Sequence, residues 1–82
     1  MKFIIHPIST EKAVRLMDSA NEIVFVVDQA ANKHQIKEEV EKTFKVKVDG
    51  VRVVNIRNSK RAYVKLSRKN SALDVATELG MV

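Results

Sequence analysis

The sequence predicts a small α+β domain with elements in the order β-α-β-α-β-β-α and a mainly antiparallel four-stranded sheet. Three observations carry this. Several stretches are rich in β-branched residues and either alternate or run unbroken. Three others repeat apolar residues at helical spacing behind a capping residue. Two helical crossovers are then followed by a pair of strands joined by a short connection. The chain has 82 residues, two glycines and one proline, with no low-complexity run, so 1–82 is expected to be one domain without a linker. A core of this size is modest and leans on a partner for part of its stability.

Residues 2–5 form a short apolar run closed by His6-Pro7. It reads as an edge strand, because proline has no amide to give a central ladder. Ser9 or Thr10 caps the first helix, and Glu11 lies in its first turn, where the helix dipole favours an acid. Ala13, Leu16, Met17 and Ala20 fall on one stripe, and Asn21 ends the helix. Residues 23–27, IVFVV, suit a strand covered on both faces, and Asp28 stops it. Asn32 with Gln35 makes a capping box for the second helix, whose buried stripe is Ile36, Val40 and Phe44. Lys37–Glu41 and Glu38–Lys42 are expected as i,i+4 pairs on its wet side.

Residues 46–56 read as a long strand interrupted by Asp49-Gly50. That dipeptide is a bulge if the strand is one element and a tight turn if it is two. Arg57-Asn58-Ser59-Lys60 is a four-residue connection of turn-forming type, and residues 61–67 are the last strand. Ser71 with Asp74 caps a third helix with Leu73, Ala76 and Leu79 facing inward and Gly80 as its C′ residue.

Charge narrows the function. Residues 1–41 carry five Lys/Arg against seven Asp/Glu, whereas residues 42–82 carry ten against three. A basic half on a compact domain attracts polyanions, with nucleic acid foremost. An anionic membrane surface fits less well, because no basic amphipathic helix with aromatic insertion residues is present, and membrane insertion is not expected. The absence of cysteine removes disulfides and thiolate metal sites and fits a reducing compartment. No apolar run approaches the ~20 residues needed to span a bilayer. The apolar part of MKFIIHPIS is too short, and too soon broken by Pro7, for a signal peptide. A cytoplasmic setting is expected.

The densest charge lies in NIRNSKRAYVKLSRKN, residues 55–70, where Arg57, Lys60, Arg61, Lys65, Arg68 and Lys69 meet no acid. In the strand, Ala62, Val64 and Leu66 share one face, and Arg61, Tyr63, Lys65 and Ser67 the other. Arg57, Asn58 and Lys60 sit at the hairpin tip, and Arg52 adds to the region. Binding RNA backbone calls for such cations on a rigid surface, with Arg forks for phosphate and Asn donors for sugar or base edges. Self-repulsion among them would be relieved by a polyanion. A solubility-giving face is the bland reading, but ordinary surfaces mix signs. Tyr63 fits base stacking and cross-strand packing equally.

Other chemistry finds little support. His6 and His34 have no spacing to other ligands that marks a metal site, and a surface or capping role is favoured. Glu38, Glu39 and Glu41 point different ways on a helix, which describes a solvated face rather than a carboxylate pair. There is no nucleophile–base set and no phosphate-cradling loop, so neither enzyme activity nor a cofactor is expected.

Taken in order, HPISTEKA, NEIVFVVD, ANKHQIKEEVEKTFKVKV, VRVVNIR and KRAYVKLS resemble the large-subunit ribosomal protein twenty-three family over nearly the whole chain. The resemblance implies a three-layer α/β/α domain that binds large-subunit ribosomal RNA at the rim of the polypeptide exit tunnel. It implies large-subunit ribosomal protein twenty-nine as a neighbour. It also implies docking of signal recognition particle or other exit-site factors, including trigger factor in bacteria. By the same resemblance Lys12 of STEK, and Asn32 and Lys33 of ANK, face RNA; Arg57, Lys60, Arg61, Tyr63 and Lys65 match the family's basic hairpin; and Glu11 matches the exposed acid used for factor docking. Bacterial members carry a long extension between the last two strands. Residues 56–61 leave almost no loop, which fits a compact archaeal type. The competing readings are a free-standing single-strand RNA binder of RRM type, since KRAYVKL is faintly similar to an RNP strand, and a generic interaction domain.

Overall fold

Seven elements form in the expected order: β1 (Ile4–Pro7), α1 (Glu11–Ser19), β2 (Glu22–Val27), α2 (Lys33–Phe44), β3 (Val48–Ile56), β4 (Ser59–Leu66) and α3 (Ala72–Glu78). They come from a computed structural model that describes residues 2–79. Local chemistry sets the helix starts. The Thr10 side chain, rather than that of Ser9, accepts from the Ala13 amide. Asn32 and Gln35 close the reciprocal capping box. Ser71 accepts from the Asp74 amide. Each cap satisfies an amide that the first helical turn leaves without a partner.

The four strands pair in the order β1-β2-β4-β3, all antiparallel. β1 is an edge strand, which accommodates Pro7. β3 is one strand. Val48 faces Leu66 and Gly50 faces Lys65, so Asp49 is the extra residue of a bulge and no turn divides the strand.

Strand alternation sorts residues onto two faces. On one face Ile23, Phe25 and Val27 of β2 and Ala62, Val64 and Leu66 of β4 are at most 2% exposed. They form a continuous core with Ile36 and Val40 of α2 and Ala72, Val75 and Ala76 of α3. The Phe25 and Phe44 rings stack there at 6.3 Å. Burying each of the larger side chains contributes about 1.5–3 kcal/mol. On the other face α1 sets Ala13 against Ile8 and Val24 in a smaller cluster. Met17 reaches from α1 into the larger core. The architecture is thus three-layered, but α1 covers this second face only over β2 and leaves the second face of β3 and β4 largely open.

Asn21 joins the halves. Its φ of 55° is left-handed, a conformation asparagine tolerates better than most residues. Its Nδ2 donates towards the carbonyls of Leu66, Ser67 and Asn70 at 2.9–3.3 Å, and its Oδ1 accepts from the Ala72 amide at 2.8 Å. One side chain therefore fixes the α1–β2 turn to the loop that launches α3.

Several expectations need correction. The hairpin connection has two residues, not four: Ile56 pairs with Ser59, and only Arg57-Asn58 turn. In α3 the buried residues are Ala72, Val75 and Ala76, while Leu73 is 38% exposed. Ala76 faces inward as expected and Leu79, half-buried, packs on the core, but Ala72 and Val75 take the buried place expected of Leu73. Gly80 lies outside the described residues. The α2 pairs Lys37–Glu41 and Glu38–Lys42 do not form among the described residues, where Glu11 pairs with Arg15 and His34 Nε2 lies 3.5 Å from Glu38 Oε1. Nor is the acidic cluster simply solvated. Glu39 accepts the backbone amides of Lys2, Phe3 and Ile4, and Glu41 accepts that of Val48. Both carboxylates serve amides at the starts of edge strands, where no ladder supplies an acceptor.

Candidate nucleic-acid interface

The open part of the second face is built in rows by register. Arg61, Tyr63 and Lys65 project from β4 opposite Val54, Arg52 and Gly50 of β3. On the β2 side the same residues face Val26, Val24 and Glu22. Residues two apart on a strand are about 6.6–6.8 Å apart, so Arg61 and Lys65 place cations on either side of the tyrosine at regular steps.

Each member of this set has a distinct environment. Arg52 is exposed, and its guanidinium carbon lies 4.6 Å from the Tyr63 ring centroid. This cation–π contact restricts an arginine that would otherwise be free. Tyr63 also packs against the Ile8–Ala13–Val24 cluster. Arg61 is half-buried beside α1, in a groove it shares with Thr10, Lys12 and Leu16. Its buried Nε has no hydrogen-bond partner among the described residues. An unpartnered buried donor is uncommon, and an incoming acceptor can relieve it. Lys65 is exposed at the bulge end of the face. Lys12 stands at the start of α1, on the rim of the Arg61 groove.

The remaining sequence-marked residues spread to the two ends. Arg57 and Asn58 form the hairpin tip, with Arg57 at a left-handed φ of 55°. Asn32 and Lys33 begin α2 near that tip, since Gln29 of the preceding loop donates to the Asn58 carbonyl at 2.6 Å. The Asn32 side-chain oxygen is engaged by the Gln35 amide. Arg68 and Lys69 are exposed in the loop after β4. An eight-residue strand covers about 26 Å, so tip and loop are separated by most of the 29 Å long axis.

Lys60 goes elsewhere. Its Nζ donates to the carbonyls of Ala31, at 2.5 Å, and Gln29, at 3.3 Å. It clamps the β2–α2 loop from the side of the sheet opposite to Arg61 and Lys65. Glu11 is highly exposed and pairs with Arg15 at 3.1 Å across one helical turn.

None of the basic residues from 52 to 69 forms an ion pair among the described residues. Glu22 stands across from Lys65 on this face and closes no ion pair among the described residues. Sequence reading had marked neither Glu22 nor the groove beside α1, because both depend on β2 lying next to β4. No group of acids and histidines able to hold a metal ion occurs among the described residues, and none of their helices is long and apolar enough to cross a membrane.

Comparison with known proteins assigns the chain. The family described as ribosomal protein L23 matches residues 2–73. The large ribosomal subunit protein uL23 of Pyrobaculum aerophilum is 45% identical over 74 residues, which span 89% of this chain and 91% of that protein. The protein of the same name from Caldivirga maquilingensis is also 45% identical over 74 residues, covering 89% and 86%. The order of elements, the continuous match and these identities lead to one conclusion: the chain belongs to the ribosomal protein L23 family.

Proposed function

We propose that this chain, a structural constituent of the large ribosomal subunit, binds large-subunit ribosomal RNA near the polypeptide exit tunnel through the open face of β3 and β4. The carrying observation is a stiff sheet face with Arg52, Arg61 and Lys65 arrayed around Tyr63 and, among the described residues, no carboxylate in an ion pair with them. Folded RNA supplies the missing counterions, and releasing its condensed cations drives the association. Lys12 extends the contact beside α1, Arg57, Asn58, Asn32 and Lys33 extend it at the tip, and Arg68 and Lys69 at the far loop. Lys60, already bonded to two carbonyls, adds charge and holds the loop that carries Asn32.

Protein partners would meet the domain beside the RNA contact, at the exposed start of α1. Glu11, exposed at the start of α1, is the docking acid for signal recognition particle or another exit-site factor, and large-subunit ribosomal protein twenty-nine is the neighbour. These partner assignments rest on the family resemblance. With a two-residue turn at Arg57-Asn58, this hairpin has no extension to send into a tunnel. The alternative of an RRM-type binder asks for two or three aromatics on an open sheet. Here Phe25 is buried, and Phe3 and Phe44 pack on the covered core.

Sedimentation of a cell lysate through sucrose tests the reading. The chain is expected to travel with large subunits at low salt and to leave them as salt rises. Recovery at the top of the gradient under all conditions would refute it.

A further inference from the structure

Arg52 and Tyr63 stand directly opposite each other on β3 and β4, with the guanidinium over the ring at 4.6 Å. The same ring packs against the Ile8–Ala13–Val24 cluster. A base stacks only on an uncovered aromatic face, and this half-buried tyrosine already carries Arg52 over its ring and packs against that cluster. We infer that Tyr63 is a positioning residue that holds Arg52, and that the centre of the interface therefore presents a planar cation to the phosphodiester backbone of folded RNA and offers no platform for unpaired bases. The inference rests on the open face being the RNA contact.

The chemistry fits the geometry. A guanidinium lying on an aromatic ring uses its π surface there, while its N–H donors stay in the plane of the fork, free to meet two phosphate oxygens. An unsupported arginine on an exposed strand surrenders its rotamer freedom when it binds, whereas a stacked one has surrendered much of it on folding. Among the described residues Arg52 has no carboxylate in an ion pair with it to displace. Lys65 and Arg61 lie about 6.6–6.8 Å to either side of Tyr63 along β4, a step comparable with that between successive phosphates on one strand. The three cations thus trace a backbone path, and the recognised ligand is a structured RNA backbone.

Binding of the full chain to deproteinised large-subunit ribosomal RNA and to a uridine dodecamer tests this, with the melting temperature of each variant confirming its fold. Arg52→Ala is expected to weaken ribosomal RNA binding about tenfold and to lower the slope of log affinity against log salt by about one. Tyr63→Leu keeps the charge and should weaken binding about two- to fivefold by freeing the arginine. Tyr63→Phe, which keeps the ring, should bind as the parent does. The double variant should bind no more weakly than Arg52→Ala alone, because the tyrosine acts only through the arginine. Weak dodecamer binding should be indifferent to Tyr63. A double variant weakened by the product of the two single effects, or dodecamer binding that depends on Tyr63, would overturn the inference and restore base stacking. An Arg61→Ala, Lys65→Ala variant separates the two levels. If it binds as the parent does, the open face is not the RNA contact. If it binds weakly while Arg52→Ala and Tyr63→Leu do not, only the role given to Arg52 and Tyr63 is wrong.

Discussion

The two faces of the sheet are made by the same strands, yet one stabilises the domain and the other is left for a ligand. Ala62, Val64 and Leu66 of β4 are buried under α2 and α3, while their immediate neighbours Arg61, Tyr63 and Lys65 look out beside α1. The difference arises because a strand has a period of two residues and the helices cover the faces unequally. Two helices cover one face, and one nine-residue helix covers only the β2 side of the other. A domain this small can therefore hold a high density of unpaired positive charge without placing any of it in its core: no polar or charged side chain is buried among the described residues.

The sharpest contrast comes from the covered face. Phe25→Ala should cost about 3–5 kcal/mol in urea denaturation. That is a large part of the roughly 4–12 kcal/mol expected for a domain of this length. A loss under about 1 kcal/mol would show that the face is not the core described. Asn21→Ala comes next. It removes the bonds to three carbonyls and one amide and leaves alanine in a left-handed conformation, for a loss of about 2–4 kcal/mol. Asn21→Gly should recover about 1 kcal/mol of it by removing the backbone strain alone. If the two variants melt together, the left-handed φ is not part of the cost.

On the open face the sign of the comparison reverses. Arg61→Ala with Lys65→Ala should weaken ribosomal RNA binding by about 2–3 kcal/mol, while the melting temperature holds or rises as repulsion is relieved. A variant that binds poorly only because it has unfolded would erase the distinction between the faces. The smallest effect is expected at the hairpin tip. Arg57→Gly should raise stability by about 0.5–1 kcal/mol, since glycine adopts the positive φ that arginine adopts at a cost. The same change should weaken RNA binding slightly through the lost charge, so calorimetry and a binding isotherm should move in opposite directions.

How much of this was legible in the sequence depended on the range of the interactions. The Asn32–Gln35 capping box and the alternation of β4 are local and form as the residues imply, and of the two caps open for α1, Ser9 or Thr10, it is Thr10 that caps. The bulge at Asp49 was one of two readings, and pairing with β4 decided it. What could not be read depends on distant partners. Glu39 reaches back to the amides of residues 2–4, and Asn21 reaches forward to residues 66–72. α3 has seven residues, too few for its apolar spacing to distinguish a stripe at Leu73 from one at Ala72 and Val75. In the interface, alternation alone put Arg61, Tyr63 and Lys65 together. It could not reveal that Lys60 would be held by Gln29 and Ala31, that Arg52 would lie on Tyr63, or that Glu22 would stand across from Lys65. The family resemblance was legible as an ordered set of short segments, and the match over residues 2–73 bears it out.

The most direct test is a salt titration of binding to large-subunit ribosomal RNA, run in parallel on the parent chain and on the Arg61→Ala, Lys65→Ala variant. The account predicts a steep linear fall of log affinity with log salt for the parent, and for the variant a slope shallower by about two, one for each phosphate contact removed. Parallel lines for the two proteins, or a parent affinity that does not respond to salt, would contradict it.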